Sequence, residues 1–145
     1  MGWVMSCLLV AGQVSAHEEM KDLPAGPIRD RHALMEGIGD HAKKIGGALK
    51  QGTTEGVAAE ADGINAKAKK INALFPKGST DPKSRAKPEI WEHWGEFERL
   101  SAALGRDSAA LAKTARDGGD VPAAANKMFD NCKSCHDQFR VPDED

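Results

Sequence analysis

The chain contains few of the residues that favour β-sheets. Of its 145 residues none is Tyr and only 5% are aromatic. β-Branched residues are also scarce, whereas Ala, Lys and Glu are abundant, and this balance favours helix throughout. The length that remains after a short N-terminal segment is that of one domain.

The chain also lacks an excess of charge of either sign and a long apolar run. Lys plus Arg is 20 and Asp plus Glu is 22, which gives a net charge of −2. A near-neutral chain argues against nucleic acid as a partner. Nothing after residue 16 is apolar for long enough to cross a bilayer, so no membrane insertion is expected.

The N-terminal segment is predicted to be a secretory signal. Residues 3–14 are largely apolar and uncharged, and they lead to Val14-Ser15-Ala16, which has the small-residue form of a signal-peptidase site. The basic residues that usually precede such a segment are missing. We expect residues 1–16 to be cleaved and residues 17–145 to form the domain, which lies in the periplasm if the source is a Gram-negative bacterium.

The most informative motif lies near the C-terminus, at Cys132-Lys133-Ser134-Cys135-His136. Two Cys three apart, followed at once by His, form the attachment signal of a c-type haem. Each thiol can form a thioether with one haem vinyl group, and the His can bind the iron from its proximal side. On a helix these three positions share one face, so all three groups can reach one macrocycle.

Other uses of the two thiols fit the sequence less well. A thioredoxin-like pair needs a βαβ context, and none is visible. A zinc site needs four ligands; His32 and His93 could complete a set, but their spacing fits no common zinc pattern. A disulfide between Cys132 and Cys135 would strain a helix. The third cysteine, Cys7, lies in the predicted signal, so no cysteine remains for a structural disulfide.

Apolar residues at alternating spacings of three and four predict four helices that pack as a bundle. On each helix these residues form one core-facing row, called a seam below. The four predicted seams are Met35, Ile38, Ala42, Ile45 and Leu49; Val57, Ala61, Ile64, Ala68, Ile71 and Phe75; Ile90, Trp94, Phe97, Ser101, Leu104, Ser108 and Leu111; and Val121, Ala125, Met128, Cys132, Cys135 and Phe139. Both cysteines lie on the fourth seam, so the haem is expected inside the bundle.

The residues between these seams predict where the helices begin and end. Thr53 or Thr54 can cap the second helix, and residues 76–87 are predicted to be the one long loop. Asp120 can cap the fourth helix, with Pro122 in its first turn. Because the connections are mostly short, the predicted fold is all-α: an antiparallel up-down four-helix bundle with the haem motif on the last helix.

This pattern resembles the cytochrome c prime family over nearly all of residues 17–145. The resemblance depends on residues 132–136 with the following Phe139-Arg140, on Pro88-Glu89-Ile90-Trp91 at the start of the third helix, and on Arg31 near the start of the first. It implies a soluble protein with one covalently bound haem c, held by Cys132 and Cys135, and with His136 as the proximal iron ligand.

The resemblance also indicates a second iron ligand. In high-spin members an apolar, non-ligating residue lies four positions after a first-helix Arg, and here that position is Met35. This choice is similar to the low-spin cytochrome c-556 branch, in which a Met thioether binds the iron. The resemblance further implies that Arg31 pairs with a haem propionate. Met also fills gaps in helix-bundle cores, and Arg31 and Arg140 could equally be surface residues.

The predicted function is one-electron transfer by a periplasmic cytochrome with six-coordinate His136/Met35 iron, and no enzyme activity. The alternative is a five-coordinate protein that binds or senses nitric oxide or carbon monoxide. A bundle that uses Cys132 and Cys135 for metal or thiol exchange is a third class. The sequence identifies no redox partner, and a homodimer through the first two helices is compatible with Gly46, Gly47 and Ala48. His32, His41 and His93 are assigned to the surface.

Overall fold

The computed structural model describes residues 21–142, and the predicted signal segment lies outside them. The main helices are α1 (Pro27–Lys50), α2 (Val57–Ala68), α4 (Trp94–Asp117) and α5 (Val121–Phe139); α3 (Glu89–Glu92) is a single turn, and a 3-10 helix covers Asn72–Leu74. Between residues 21 and 142 there is no strand, only an isolated antiparallel bridge from Ala86 to Arg140. The predicted all-α class is confirmed.

The four main helices form an antiparallel up-down bundle in chain order. α1 packs on α2, α2 on α4, and α4 on α5. The predicted seams supply the core: all six residues of the second seam are buried, and Leu111, Ala125 and Met128 are fully enclosed on α4 and α5. Met35, Cys132 and Cys135 are partly buried and pack against this core. No helix among the described residues is long and apolar enough to cross a membrane.

The helix ends agree with the sequence in part. The carboxylate of Asp120 accepts a hydrogen bond from the Ala123 amide at 3.0 Å, as predicted for the start of α5. The predicted threonine cap of α2 is wrong. Gly56 is the N-cap residue, at a φ of 76°, and no side chain caps the helix. Only glycine adopts this left-handed conformation without a steric penalty.

The third predicted helix is interrupted at one residue. His93 has φ −118° and ψ 43°, outside the helical range, and separates α3 from α4. Its carbonyl accepts from the amides of Glu96 and Phe97 at 3.0 and 3.1 Å, so it serves as the N-cap of α4 through its backbone. The change of direction lets α3 contact α5 as well as α4.

α1 and α2 approach closely at Gly63, where the absence of a side chain leaves room for the imidazole of His41. His41 on α1 lies over Gly63 on α2, where a Cβ would stand 2.5 Å from the imidazole Cε1. The His41 Nδ1 lies 2.6 Å from the Glu60 Oε2. This hydrogen bond is the main reason that the pKa of Glu60 is lowered. His41 is therefore a contact between helices, and its assignment to the surface is wrong.

The long loop 76–87, called the strap below, crosses the end of the bundle and is fastened to the residues after α5. The Lys87 amide donates to the Phe139 carbonyl at 2.9 Å, and the Val141 amide donates to the Arg85 carbonyl at 2.7 Å. These bonds flank the bridge between Ala86 and Arg140. The strap thus joins the C-terminal end of α5 by backbone pairing.

Arg31 fastens the strap to α1. Arg31 is 4% exposed as a whole residue. Its guanidinium donates to the Ser79 hydroxyl and carbonyl, both at 2.7 Å, and to the Ser84 hydroxyl at 2.9 Å. It also lies 4.7 Å from the centre of the Phe75 ring, a cation–π contact. Burial lowers the pKa of Arg31, but a guanidinium keeps its charge at any physiological pH.

We predict that Gly63→Ala destabilises the folded protein by about 1–2 kcal/mol, because the new methyl group displaces His41 from Glu60. Gly39→Ala is the matched control: it also lies within a helix, α1, but a Cβ there would meet nothing within 4 Å. This control should gain up to about 1 kcal/mol from better helix propensity. Urea unfolding of both variants measures the difference.

The contrast between these variants should depend on pH. Because the pKa of Glu60 is lowered in the folded state, its bond to His41 stabilises the fold above the ordinary Glu range and is lost as the pH falls through the lowered value. The penalty of Gly63→Ala should therefore shrink in acid. Equal stability changes in the two variants at neutral pH would contradict this account.

We also predict that Arg31→Leu loosens the strap. Three hydrogen bonds from a charged donor are lost, with an expected cost of roughly 2–4 kcal/mol. Hydrogen exchange of the Ser79, Thr80 and Ser84 amides should accelerate. Arg29→Leu is the control, since Arg29 donates to the Leu23 carbonyl and not to the strap. Unchanged protection of these three amides in Arg31→Leu would show that the guanidinium does not hold the strap.

Candidate functional site

A cavity of about 870 Å³ lies between α1 and α5, the first and the last of the main helices. Its volume is in the upper part of the range of about 300–1,000 Å³ that small-molecule and cofactor sites occupy. The strap and residues 139–142 complete its wall. The helix residues that line it are Ile28, Arg31, His32, Met35 and Glu36 on α1, Ile90 on α3, Phe97 on α4, and Cys135, His136 and Phe139 on α5.

Aromatic rings form the inner wall of this cavity. Phe97 lies at the centre, with ring centroids 4.8 Å from Phe75 and 5.5 Å from Phe139, both in edge-to-face geometry. Trp94 packs on the outer side of Phe97 at 5.4 Å. Trp91 donates its indole N–H to the Phe75 carbonyl at 3.0 Å. A rigid apolar wall of this kind suits a large, flat, apolar ligand.

The two thiols of the Cys-Lys-Ser-Cys-His motif lie one turn apart on α5, on the side that faces the core. Both are free and partly buried, and Cys135 lines the cavity. Burial raises the pKa of Cys135 to about 11, and the nearby charges of Cys132 and Glu96 add to this rise. Burial likewise raises the pKa of Cys132.

These shifts bear on the thiol-exchange alternative. A thiol acts as nucleophile or metal ligand in its thiolate form, and its pKa is lowered in reactive exchange pairs. Here both pKa values are raised, so the thiols are protonated at neutral pH. No group of three or more His, Cys, Asp or Glu side chains within residues 21–142 is arranged to hold a metal ion. Neither observation favours metal or thiol exchange.

The structure places two of the predicted site residues in the lining of one cavity, on two different helices. His136 lines it from α5, directly after Cys135, and Met35 lines it from α1. Met35 is partly buried, whereas Met128, the other seam methionine, is fully enclosed in the core away from the cavity. Met35 and His136 therefore offer a thioether and an imidazole to a single ligand.

Arg31 and His32 stand beside Met35 on α1 and also line the cavity. The hydrogen bonds of Arg31 described above go to the strap, so its pairing with a propionate stays a prediction. His32 is assigned to the surface from the sequence, whereas the structure places it in the lining of the cavity. Its Nε2 is buried without a hydrogen-bond partner, and the Glu36 Oε1 lies 3.7 Å away. Nothing in the sequence pattern distinguishes His32 from His93, which is exposed.

The residues present fit a covalently bound haem. The cavity has the necessary size, its inner wall is aromatic, and two thiols and an imidazole stand together on one helix. The unpartnered His32 nitrogen supplies a polar group where a ligand with carboxylates could use it. A haem has this combination of a flat apolar ring and two carboxylates on one edge.

Comparisons with known proteins agree with this fit. A family model described as Cytochrome C′ matches residues 26–140. Cytochrome c′ of Rhodopseudomonas palustris is 35% identical over 118 residues, which cover 79% of this chain and 81% of that protein. Cytochrome c-556 of Agrobacterium tumefaciens (strain II Chrys) is 32% identical over 122 residues, which cover 81% and 98% of the two chains.

A solved structure gives the same result at the level of the fold. Cytochrome c prime from Shewanella frigidimarina superposes with a TM-score of 0.75 at 26% identity, and the match covers 83% of this chain and 98% of that one. Together with the cavity and the motif on α5, these matches show that the chain belongs to the cytochrome c′ family and is a monohaem cytochrome with one covalently attached c-type haem.

Proposed function

We propose that the protein is a one-electron carrier whose haem iron is six-coordinate, with His136 as proximal and Met35 as distal ligand. The thioether bonds to the haem are assigned to Cys132 and Cys135. One observation carries the proposal: Met35 and His136 line the same cavity from two different helices, α1 and α5. The match to a cytochrome c-556 supports it as well, because the sequence resemblance to that branch implies methionine ligation.

The residues of the chain account for what a carrier needs. When bound, the haem supplies an iron that exchanges one electron between its ferric and ferrous states. His136 and Met35 would be the residues that bind this iron, so its protein ligands would be the same in both states. A thioether is a soft, neutral ligand that favours the ferrous form, and His/Met ligation raises the reduction potential. The wall formed by Phe75, Phe97 and Phe139 excludes water and lowers the local dielectric constant.

The proposal includes the location and the partners. Residues 1–16 are assigned to a cleaved signal and residues 17–145 to the bundle domain, which places the protein in the periplasm. Its partners are redox proteins, which the structure does not identify, and no reaction on a substrate is part of the proposal. A homodimer through α1 and α2 is compatible with Gly46 and Gly47, where a Cβ would meet nothing within 4 Å.

A five-coordinate protein that binds nitric oxide or carbon monoxide is the second candidate. The observation in its favour is the 35% identity to a protein named cytochrome c′. For that branch the sequence resemblance implies a non-ligating residue over the iron. Methionine has three rotatable side-chain bonds, so Met35 could also pack against the cavity wall and leave the sixth position to a gas.

We predict that Met35→Ala converts the ferric protein from low-spin to high-spin and lowers its reduction potential. The ferrous variant should bind carbon monoxide at least about 10-fold faster than the unchanged protein, because no protein ligand must leave the iron first. Visible spectra and rapid mixing with carbon monoxide measure these effects. Met128→Leu is the control, because it alters a buried seam methionine that does not line the cavity.

The two candidate functions give opposite results for the unchanged protein. An electron carrier has a low-spin ferric spectrum with a sulfur-to-iron charge-transfer band, and that band disappears in Met35→Ala. If the unchanged protein is already high-spin and Met35→Ala leaves its carbon monoxide binding as it was, Met35 is not a ligand and the gas-binding function is correct.

A further inference from the structure

The inference concerns the contact between α1 and α2, where two side chains lie over two glycines. Gly37 and His41 are four residues apart on α1, and Gly63 and Lys67 are four residues apart on α2. Each pair therefore lies on one face of its helix. Because the helices are antiparallel, His41 lies over Gly63 and Lys67 lies over Gly37. These four residues are called the interlock below.

The two halves of the interlock differ in how easily they give way. A Cβ on Gly63 would stand 2.5, 2.6 and 2.9 Å from three atoms of the His41 ring. The same ring lies 2.6 Å from the Glu60 carboxylate through its Nδ1, and the two side chains are only 25% and 24% exposed. A Cβ on Gly37 would stand 3.0 Å from the Cε of Lys67, but the flexible end of a lysine can move aside. The His41 half is therefore the more rigid contact.

Met35 lies on a helix whose position depends on this contact. α2 is the main helix against which α1 packs, and the cavity lies between α1 and α5. Met35 is two residues before Gly37, which places it about 200° around the helix from that glycine. It lines the cavity and not the interlock. A movement of α1 against α2 is therefore also a movement of the Met35 thioether within the cavity.

We propose that His41 is a positioning residue for Met35. Its contact with Gly63 and Glu60 sets the position of α1, and with it the reach of the thioether toward the iron. Arg31 holds α1 through the strap four residues before Met35, and His41 holds it against α2 six residues after. Without the second contact α1 has more freedom, and the thioether leaves the iron more often. The inference rests on the proposed function, because it requires Met35 to be a ligand.

The other contacts of this part of α1 are less able to fix its position. Lys44 also reaches Glu60, at 3.4 Å, but its side chain is 64% exposed, and an exposed ion pair contributes little. Ile38 and Ile45 are buried in the core. Their apolar contacts hold α1 on the bundle, but such contacts are non-directional and favour no single position along α2. The hydrogen bond of His41 is directional and partly shielded from water.

The test compares three variants of the haem-loaded protein. His41→Leu removes the hydrogen bond to Glu60, and His41→Asn keeps a nitrogen donor at the place of Nδ1. Asn65→Ala is the matched control, because Asn65 lies on α2 but donates to the Gly105 carbonyl of α4 at 2.6 Å. It weakens the bundle away from α1. Urea unfolding measures how much stability each variant loses.

Carbon monoxide binding to the ferrous protein measures how often the thioether leaves the iron. We expect His41→Leu to bind carbon monoxide about 2- to 10-fold faster, the factor to which one lost hydrogen bond corresponds. Its reduction potential should fall, because thioether ligation raises that potential. His41→Asn should restore most of both values. Asn65→Ala should change neither, although it also lowers stability.

Gly63→Ala covers the case in which His41→Leu fails to fold, because one added methyl group displaces the imidazole. It should accelerate carbon monoxide binding by a similar factor. Unchanged binding in these variants would overturn the inference, and so would an equal acceleration in Asn65→Ala, since general loss of stability would then be the cause. Either result leaves the proposed function standing. If the unchanged protein has no sulfur-to-iron band, the proposed function is wrong and the inference is overturned with it.

Discussion

The space between α1 and α5 is the constraint on which the rest of the structure depends. Four-helix bundles fill their interiors with side chains from all four helices. Here, by contrast, a cavity of about 870 Å³ lies between the first main helix and the last. The contacts of α1 with α2, α2 with α4, and α4 with α5 hold the bundle together around this space. In the proposed function a haem fills this cavity and brings residues of α1 and α5 into contact with one ligand.

The surroundings of the cavity stabilise its shape before any ligand is considered. Phe97 connects the rings of Phe75 and Phe139, and the strap pairs with the residues after α5. Arg31 fixes the strap from the opposite side, through Ser79 and Ser84. α1 is itself held against α2 where His41 lies over Gly63. Each of these contacts limits how far α1 and the strap can move away from α5, so Met35 is presented to the cavity from a fixed helix.

The spacing of apolar residues was sufficient to predict the helix bundle, because core-facing residues of a bundle recur at a regular interval. Residues at alternating intervals of three and four lie on one face of a helix, and burial of Val57, Ile64 and Leu111 follows from that rule. The same rule placed Met35 and Cys135 on seams. The motif of residues 132–136 also indicated the ligand, because its chemistry depends on local spacing alone.

The spacing could not predict features that depend on contacts between distant residues. Ser79 and Ser84, 48 and 53 positions after Arg31, accept its hydrogen bonds, and no local pattern connects them. The buried nitrogen of His32 and the contact of His41 with Gly63 are likewise consequences of packing. The helix is interrupted at His93 although the apolar residues on either side, Ile90, Trp94 and Phe97, keep the helical spacing of four and three. Histidine, arginine and glycine were therefore the residues whose roles the sequence predicted least well.

The central claim is that the thioether of Met35 and the imidazole of His136 meet at one iron. X-ray absorption at the iron edge of the unchanged, haem-loaded protein measures the atoms bound to that iron. The account predicts one sulfur and five nitrogen neighbours, four of them from the porphyrin. A first shell of nitrogen neighbours alone, with no sulfur in either oxidation state, would contradict it.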